Sequence, residues 1–225
     1  MKDFNYNLID LGLPSGTLWM DRNLGASSPE DAGLYFAWGE IQGYTVDEAI
    51  KLSKFDWSNY KFGAEESLTK YNSTDGLTTL ETTDDAVLQN VHECAMPTYE
   101  QMVELIKETD VYCIKTNGTE VHGTWSDYKE HLIWDNEISH TEHLSGFEFR
   151  NKTDNSIKIF VPCSHDIHED FIICYDSHCG LWSNRLNEKN TDTAWALCFD
   201  NYVGFCNFVY RNVGIPVRGV KNKEN

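Results

Sequence analysis

The chain has 225 residues, a formal net charge of −18 at pH 7 and an aromatic content of 13%. This length suffices to bury a substantial core, and the simplest organisation is one domain over residues 1–225. The strong negative charge opposes phosphate backbones and anionic membrane surfaces, which argues against nucleic-acid binding through a basic patch. No apolar run approaches the ~20 residues that a membrane helix requires, so membrane insertion is not expected.

Seven cysteines occur in the chain, at spacings that match no small disulfide scaffold. We therefore expect them to be mostly reduced, as in proteins made in a cytoplasm. The N-terminus carries no apolar segment of the kind that a secretory signal contains, so we expect no signal peptide in this chain.

The N-terminal part is predicted to begin with two short strands, 8–11 and 17–21. The turn between them contains Pro14 and Gly16, which suit its backbone. Ser28-Pro29 followed by two acids is typical of a helix start, so a short helix is predicted there.

The aromatic run 35–38 is predicted to lie in the core because such side chains are usually buried. Residues 45–83 are polar and irregular, which predicts a long surface excursion with one short helix near 46–52. The clearest helix is predicted at 98–109, which opens on a Thr-x-x-Gln capping box and carries apolar residues at helical spacing.

Two hairpins are predicted after this helix. The first pairs 111–115 with 120–125 through an Asn-Gly turn, a strong short-range hairpin signal. The second pairs 146–150 with 156–161. Residues 126–145 form an insertion whose pattern assigns no structure.

The C-terminal segment 180–220 has the most informative pattern. Trp195, Leu197 and Phe199 alternate with smaller or polar residues, as in a half-buried strand, and all three are predicted to lie in the core. A second strand is predicted at 205–210, where large groups occupy both faces. One of those faces must point away from the core, which places aromatic side chains where a ligand can reach them. A third β-rich run at 215–220 closes the segment.

Several motifs occur in a fixed order along the chain. They are I-D-L-G-L-P-S-G-T-L-W at 9–19, Y-F-A-W-G-E at 35–40, M-P-T at 96–98, L-W-S at 181–183 and W-x-L-x-F at 195–199, followed by Arg211, Gly214 and V-R at 217–218. Together they resemble formylglycine-generating-enzyme-like C-type lectin domains, which are abundant in gut Bacteroidetes and their phages. Some members of that group are the variable proteins of diversity-generating retroelements, which mutate adenines in codons of the C-terminal segment.

Combined with the predicted elements, the resemblance implies an α+β, C-type lectin-like fold. It would have two helices beside a twisted, mainly antiparallel sheet, with long irregular loops. In such domains the first and last strands pair, so residues 8–11 are expected to lie near 215–220. Residues 180–220 would be the variable ligand-binding segment of one domain.

A metal site is one candidate function, because zinc-type ligands occur between residues 163 and 179. These are Cys163, His165, His168, Cys174, His178 and Cys179. Their spacing matches no closed zinc site, and the acidic loops contain no calcium-binding motif. We therefore predict no metal and no cofactor.

Catalysis is a second candidate. Cys198 and Cys206 flank a predicted turn and could face each other, and formylglycine-generating enzymes use a pair of active-site cysteines. A nucleophilic cysteine needs a base or a lowered pKa, and residues 196–213 contain no His and no Lys. We predict that the chain is not an enzyme and has no catalytic residues. A formylglycine-generating-enzyme-like oxidoreductase is the most distant alternative.

A ligand-binding face is the third and preferred candidate. Residues between the framework positions combine aromatic rings with Asn and Asp, as antibody paratopes do. None of Lys, Glu, Gln, Met and Trp occurs at 196–213, as expected if adenine mutagenesis acted on Asn codons. The alternative is an ordinary buried strand pair. The predicted face consists of Asn184, Arg185, Ala196, Cys198, Asp200, Asn201, Tyr202, Phe205, Asn207, Phe208, Tyr210 and Asn212.

The preferred hypothesis is a non-enzymatic ligand- or receptor-binding protein with a diversifiable surface, used by a phage to attach to a bacterial host. Its ligand would be a bacterial surface protein or glycan, and its location the tail or fibre of a virion. A homo-oligomer and attachment to a virion component are both open. The alternative is a bacterial surface or secreted lectin-like domain with a fixed ligand.

Overall fold

A computed structural model describes residues 5–139, 141–164, 166–168, 171–173 and 178–223 of the chain. Of these residues, 34% lie in strands and 13% in helices, so the protein is mostly antiparallel β-sheet. Among the helices in this part of the chain, none has both the length and the apolar character that crossing a bilayer takes.

The helices are α1 (Val46–Lys51), α2 (Ala86–Asn90) and α3 (Tyr99–Glu108), with 3-10 turns at Trp57–Asn59 and Thr82–Asp84. The strands are, in chain order, β1 (Leu8–Asp10), β2 (Leu18–Met20), β3 (Tyr35–Phe36), β4 (Thr109–Lys115), β5 (Glu120–Ser126), β6 (His131–Trp134), β7 (Leu144–Asn151), β8 (Lys158–Pro162), β9 (Asp166–His168), β10 (Phe171–Ile173), β11 (Cys179–Leu186), β12 (Thr193–Phe199), β13 (Val203–Tyr210), β14 (Ile215–Pro216) and β15 (Val220–Lys221).

Eight strands form one antiparallel sheet in the order β11-β12-β13-β6-β5-β4-β7-β8, which curls into a nearly closed barrel. Strand β6 links its two halves, because it pairs with β5 along its length and with β13 at Val203 and Gly204. The insertion at 126–145 therefore supplies the strand that joins the middle hairpins to the C-terminal strands.

The predicted α+β, C-type lectin-like fold with two helices beside a sheet is wrong. Helices α1 and α2 have only 6 and 5 residues, whereas α3, with 10, packs its apolar stripe into the core of the large sheet. The hairpins join edge to edge into one curled sheet. The first and last strands do not pair directly, because β2 lies between β1 and β15.

Most local predictions are confirmed. Helix α3 begins with the capping box, in which Thr98 Oγ1 accepts from the Gln101 amide at 3.1 Å. Helix α1 and both hairpins also lie where the patterns indicate. The helix expected at Ser28-Pro29 is wrong, because the Asp31 carboxylate accepts hydrogen bonds from the amides of Ser27 and Gly33 and holds a turn instead.

Residues 45–83 are more than a surface excursion, because four of their aromatic rings are buried. These are Phe55, Tyr60, Phe62 and Tyr71. The last three surround the guanidinium of Arg211, which also lies 5.0 Å from the centre of the Trp38 ring. The excursion is thus part of the core, and the whole run 35–38 is buried, as predicted.

Strand β12 separates two hydrophobic cores. Leu197 and Phe199 belong to the core that contains the stripe of α3, and both are buried, as predicted. Ala196 and Cys198 point the other way, into the core formed by the excursion and the run 35–38. The strand is therefore buried on both faces. The prediction that Trp195 lies in the core is wrong, because this residue stands at the margin of the core and is only half-buried.

Candidate ligand-binding surface

Three aromatic rings form a ridge at the surface where α3 crosses β12 and β13. Trp195 of β12 stands opposite Phe208 of β13, with ring centres 5.8 Å apart and the rings nearly perpendicular. The ring of Tyr99 lies 4.9 Å from that of Trp195 on its other side. Tyr99 is the first residue of α3, so its position follows from the way the apolar stripe of that helix docks on the sheet. We call Tyr99, Trp195 and Phe208 the aromatic ridge.

A first groove of about 680 Å³ lies on one side of the aromatic ridge. Its polar walls come from the end of β11, from the loop that follows and from Glu100 of α3. They include Glu100, Arg185, Asn187, Glu188, Lys189 and Asn190.

Arg185 reaches the first groove because β11 contains an irregularity there. The register of the β11–β12 pair shifts between Trp182 and Leu186, as in a β-bulge. The Ser183 hydroxyl holds this bulge, since it donates to the Trp195 carbonyl at 2.7 Å and accepts from the Arg185 amide at 3.2 Å.

The Arg185 guanidinium lies 2.5 Å from a Glu188 oxygen and 3.5 Å from a Glu100 oxygen. These are partly exposed ion pairs, which contribute little to stability and can rearrange around a ligand.

A second groove of about 450 Å³ lies on the other side of Tyr99 and Trp195. Phe205 and Cys206 of β13 line it together with Val103, Lys107, Trp125, Lys129 and Glu130. The Lys107 ammonium lies 5.0 Å from the centre of the Trp125 ring and 3.3 Å from an Asp127 oxygen. The wall of this groove therefore carries both apolar and charged groups.

The edge of β13 is open beside these grooves. Strand β13 pairs with β12 from Gly204 to Tyr210, but with β6 only at Val203 and Gly204. Among the described residues, 205–210 have no strand partner on that second edge. An open edge exposes backbone groups that a partner can bind.

The predicted binding residues fall into three groups. Tyr202, Phe208 and Tyr210 are 59%, 50% and 46% exposed. Five residues are half-buried: Asn184, Arg185, Asp200, Phe205 and Asn207. Four are buried and cannot reach a ligand without a rearrangement of the core: Ala196, Cys198, Asn201 and Asn212.

The buried members of the predicted face have structural roles. Ala196 and Cys198 face a core because the second side of β12 is covered by the excursion. The side-chain amide of Asn201 donates to the Ser139 carbonyl at 2.8 Å, and that of Asn212 donates to the Phe55 carbonyl at 3.3 Å. Both side chains therefore join distant loops to the loops at the two ends of β13.

Arg185 and Phe208 meet in the first groove, and Phe205 lines the second. Tyr210 instead contacts Trp57, with ring centres 6.4 Å apart. Tyr99, Lys107 and Trp125 also line the grooves but are not among the predicted binding residues, because they lie outside 180–220. For Tyr99 one signal existed: it stands three residues before Met102 and seven before Ile106, a spacing that places this aromatic residue at the edge of the apolar stripe of α3.

The two thiols considered for catalysis do not meet. Cys198 pairs with Phe205 and Cys206 with Leu197, so the two side chains lie on opposite faces of the sheet. Burial raises the pKa of Cys198 well above its ordinary value and that of Cys206 to about 12. Neither is activated as a nucleophile in this arrangement.

The zinc-type ligands considered between 163 and 179 are only partly described. His165 and Cys174 lie outside the described residues, as does the side chain of His168. Within the described part, no group of three or more His, Cys, Asp or Glu side chains is arranged to hold a metal ion.

Comparisons of the chain with protein-family models, with curated proteins and with solved structures give no match. The resemblance to formylglycine-generating-enzyme-like domains and to retroelement variable proteins therefore stays a prediction from the motifs.

Proposed function

We propose that this chain is a non-enzymatic binding protein that engages its ligand through the aromatic ridge and the two grooves beside it. One observation carries the proposal. The exposed Phe208 ring packs against the half-buried Trp195 ring, and the aromatic ridge to which they belong lies beside two grooves with polar groups in their walls. Exposed aromatic side chains contribute little to folding, whereas at an interface they are frequent hot spots.

The ligand is a bacterial surface protein or glycan. Flat rings supply contact area, and the exposed Asn190 amide with the charged rim supplies adaptable hydrogen bonds. The net charge of −18 disfavours a polyanionic partner such as nucleic acid.

The narrower hypothesis is attachment of a phage to a bacterial host by a diversifiable surface. It is supported by the motif resemblance and by the absence of five residue types at 196–213. Substitutions at Tyr202, Phe208 and Tyr210 would leave both cores intact, as diversification requires. A neighbouring reverse transcriptase gene with a near-repeat of the coding region for 182–220 is the expected genomic signature.

The alternative is a bacterial surface or secreted binding domain with a fixed ligand. One observation favours it: Tyr99, Lys107 and Trp125, which lie outside 180–220, form much of the groove walls. A genomic neighbourhood without a reverse transcriptase and without a template repeat would favour this alternative.

Binding of the labelled chain to a panel of intact Bacteroidetes cells tests the proposal. We expect Phe208→Ala to weaken binding at least tenfold, about 1.4 kcal/mol, while the melting temperature changes little. Leu52→Ala is the matched control, because Leu52 is equally exposed, at 52%, but lies next to α1. Equal binding by both variants and the parent would place the binding surface elsewhere.

A further inference from the structure

Strands β8 and β11 are the two ends of the curled sheet. The residues just after β8 lie beside the start of β11, and we call this junction the seam. The amide of Ser164 donates to the carbonyl of His178 at 2.9 Å. The amide of Gly180 approaches the Ser164 hydroxyl at 3.4 Å. The peptide group between Cys163 and Ser164 is therefore hydrogen-bonded to the peptide group between His178 and Cys179.

This hydrogen bond brings two cysteine backbones together. Across two bonded peptide groups, standard geometry places the Cα atoms of Cys163 and Cys179 roughly 4–6.5 Å apart, whichever way the chains run. Disulfides usually join Cα atoms about 4.4–6.8 Å apart. The backbone thus needs little or no movement for a bond between these residues.

The two side chains also lie on the same side of the seam. Cys179 is fully buried in the core that contains the stripe of α3, and Cys163 packs against that same core. Cys198 is a further thiol close to Cys179, but it belongs to the other core. The register confirms this separation, because Cys198 stands opposite Gly180 and not opposite Cys179.

We propose that Cys163 and Cys179 are a redox pair that a low-molecular-weight disulfide oxidises to a disulfide bond across the seam. The Cys163 thiolate attacks one sulfur of the small disulfide, which forms a mixed disulfide and releases one thiolate. Cys179 then loses its proton to solvent and attacks the Cys163 sulfur, which releases the second thiolate. Two protein thiols are oxidised, and one small disulfide is reduced to two thiols.

The two thiols have unequal roles because their surroundings differ. Cys163 is only half-buried, so it is the point of entry for the oxidant. Cys179 is buried, and burial raises its pKa well above the ordinary value. The second step is therefore the slower one.

The bond would close the barrel-like sheet covalently and enclose residues 164–178 in a loop. A loop of this size predicts a rise in melting temperature of roughly 5–10 °C for a chain of this length. Such a disulfide bond suits a protein that is synthesised with reduced thiols and later reaches an oxidising environment.

Oxidised glutathione is the probe. The full chain is incubated with it, remaining thiols are alkylated, and peptides from a protease that cleaves after Asp and Glu are analysed by mass spectrometry. We expect a Cys163–Cys179 cross-link, and a melting temperature that returns to the starting value on reduction. Cys163→Ser, at the half-buried position, should abolish both effects. Cys174→Ser should abolish neither.

A cross-link that joins Cys174 to either residue, or an oxidised chain that carries only glutathione adducts, overturns the proposal. If Cys179→Ser fails to fold, the Cys163→Ser variant and the peptide map of the parent still decide the outcome.

Discussion

A buried cation ties three distant parts of the chain together at Arg211. Its Nε donates to the Tyr60 hydroxyl at 2.9 Å, and its Nη1 donates to the carbonyls of Tyr71 and Thr191, both at 3.0 Å. Its Nη2 donates to the Lys70 carbonyl at 3.1 Å. The planar guanidinium satisfies all four acceptors at once, which no other side chain can do.

We expect Arg211→Lys to lower the free energy of unfolding by about 3 kcal/mol, because an ammonium group reaches fewer of these acceptors and leaves buried carbonyls without a donor. Urea unfolding monitored by tryptophan fluorescence measures the change. Arg185→Lys is the control, since its surface ion pairs predict a change under about 0.5 kcal/mol. Equal midpoints for the two variants would show that Arg211 does not anchor the excursion.

At the scale of elements, one carboxylate anchors the excursion 45–83 to the core. Asp84 Oδ1 lies 2.6 Å from Lys61 Nζ, and Oδ2 lies 2.5 Å from Lys70 Nζ and 2.6 Å from the Tyr71 hydroxyl. Burial disfavours the ionised carboxylate, but the hydrogen bonds from these three groups outweigh burial and lower the pKa of Asp84.

Because the pKa of the Asp84 carboxyl is lowered in the folded state, the hydrogen bonds of this group make the stability of the protein depend on pH in the acid range. The ionised carboxylate stabilises the fold above the ordinary Asp pKa of about 3.9, and this contribution is lost as the pH falls through the lower folded pKa. We therefore expect the stability difference between the parent and Asp84→Asn to be largest at neutral pH and to shrink below about pH 4. Urea unfolding at a series of pH values measures it, and a difference independent of pH would contradict the link.

At the scale of the whole molecule, two hydrophobic cores and the curled sheet make up most of the part of the chain that the structure describes. No described group of side chains is arranged as a metal site. We expect extended dialysis against EDTA to leave the melting temperature unchanged. A fall of many degrees that one added ion reverses would point to a metal site that includes residues such as His165 or His168.

The sequence by itself determined the parts of the structure that depend on neighbours along the chain. The capping box sets the start of α3, and the Asn-Gly turn sets the β4–β5 hairpin. The alternation at 195–199 predicted the burial of Leu197 and Phe199. These features are local, because a cap, a turn and a strand period each act over a few residues.

Only the tertiary structure decided which strands join, which faces are covered and where the binding surface lies. Four-residue β6 has too little pattern to reveal that it links the two halves of the sheet. Ala196 and Cys198 are buried because an excursion more than a hundred residues earlier in the chain covers them. Tyr99 reaches Trp195 because α3 docks on strands that follow it by some ninety residues. Such contacts depend on packing between distant segments. The residue pattern of one segment does not specify which distant segment will pack against it.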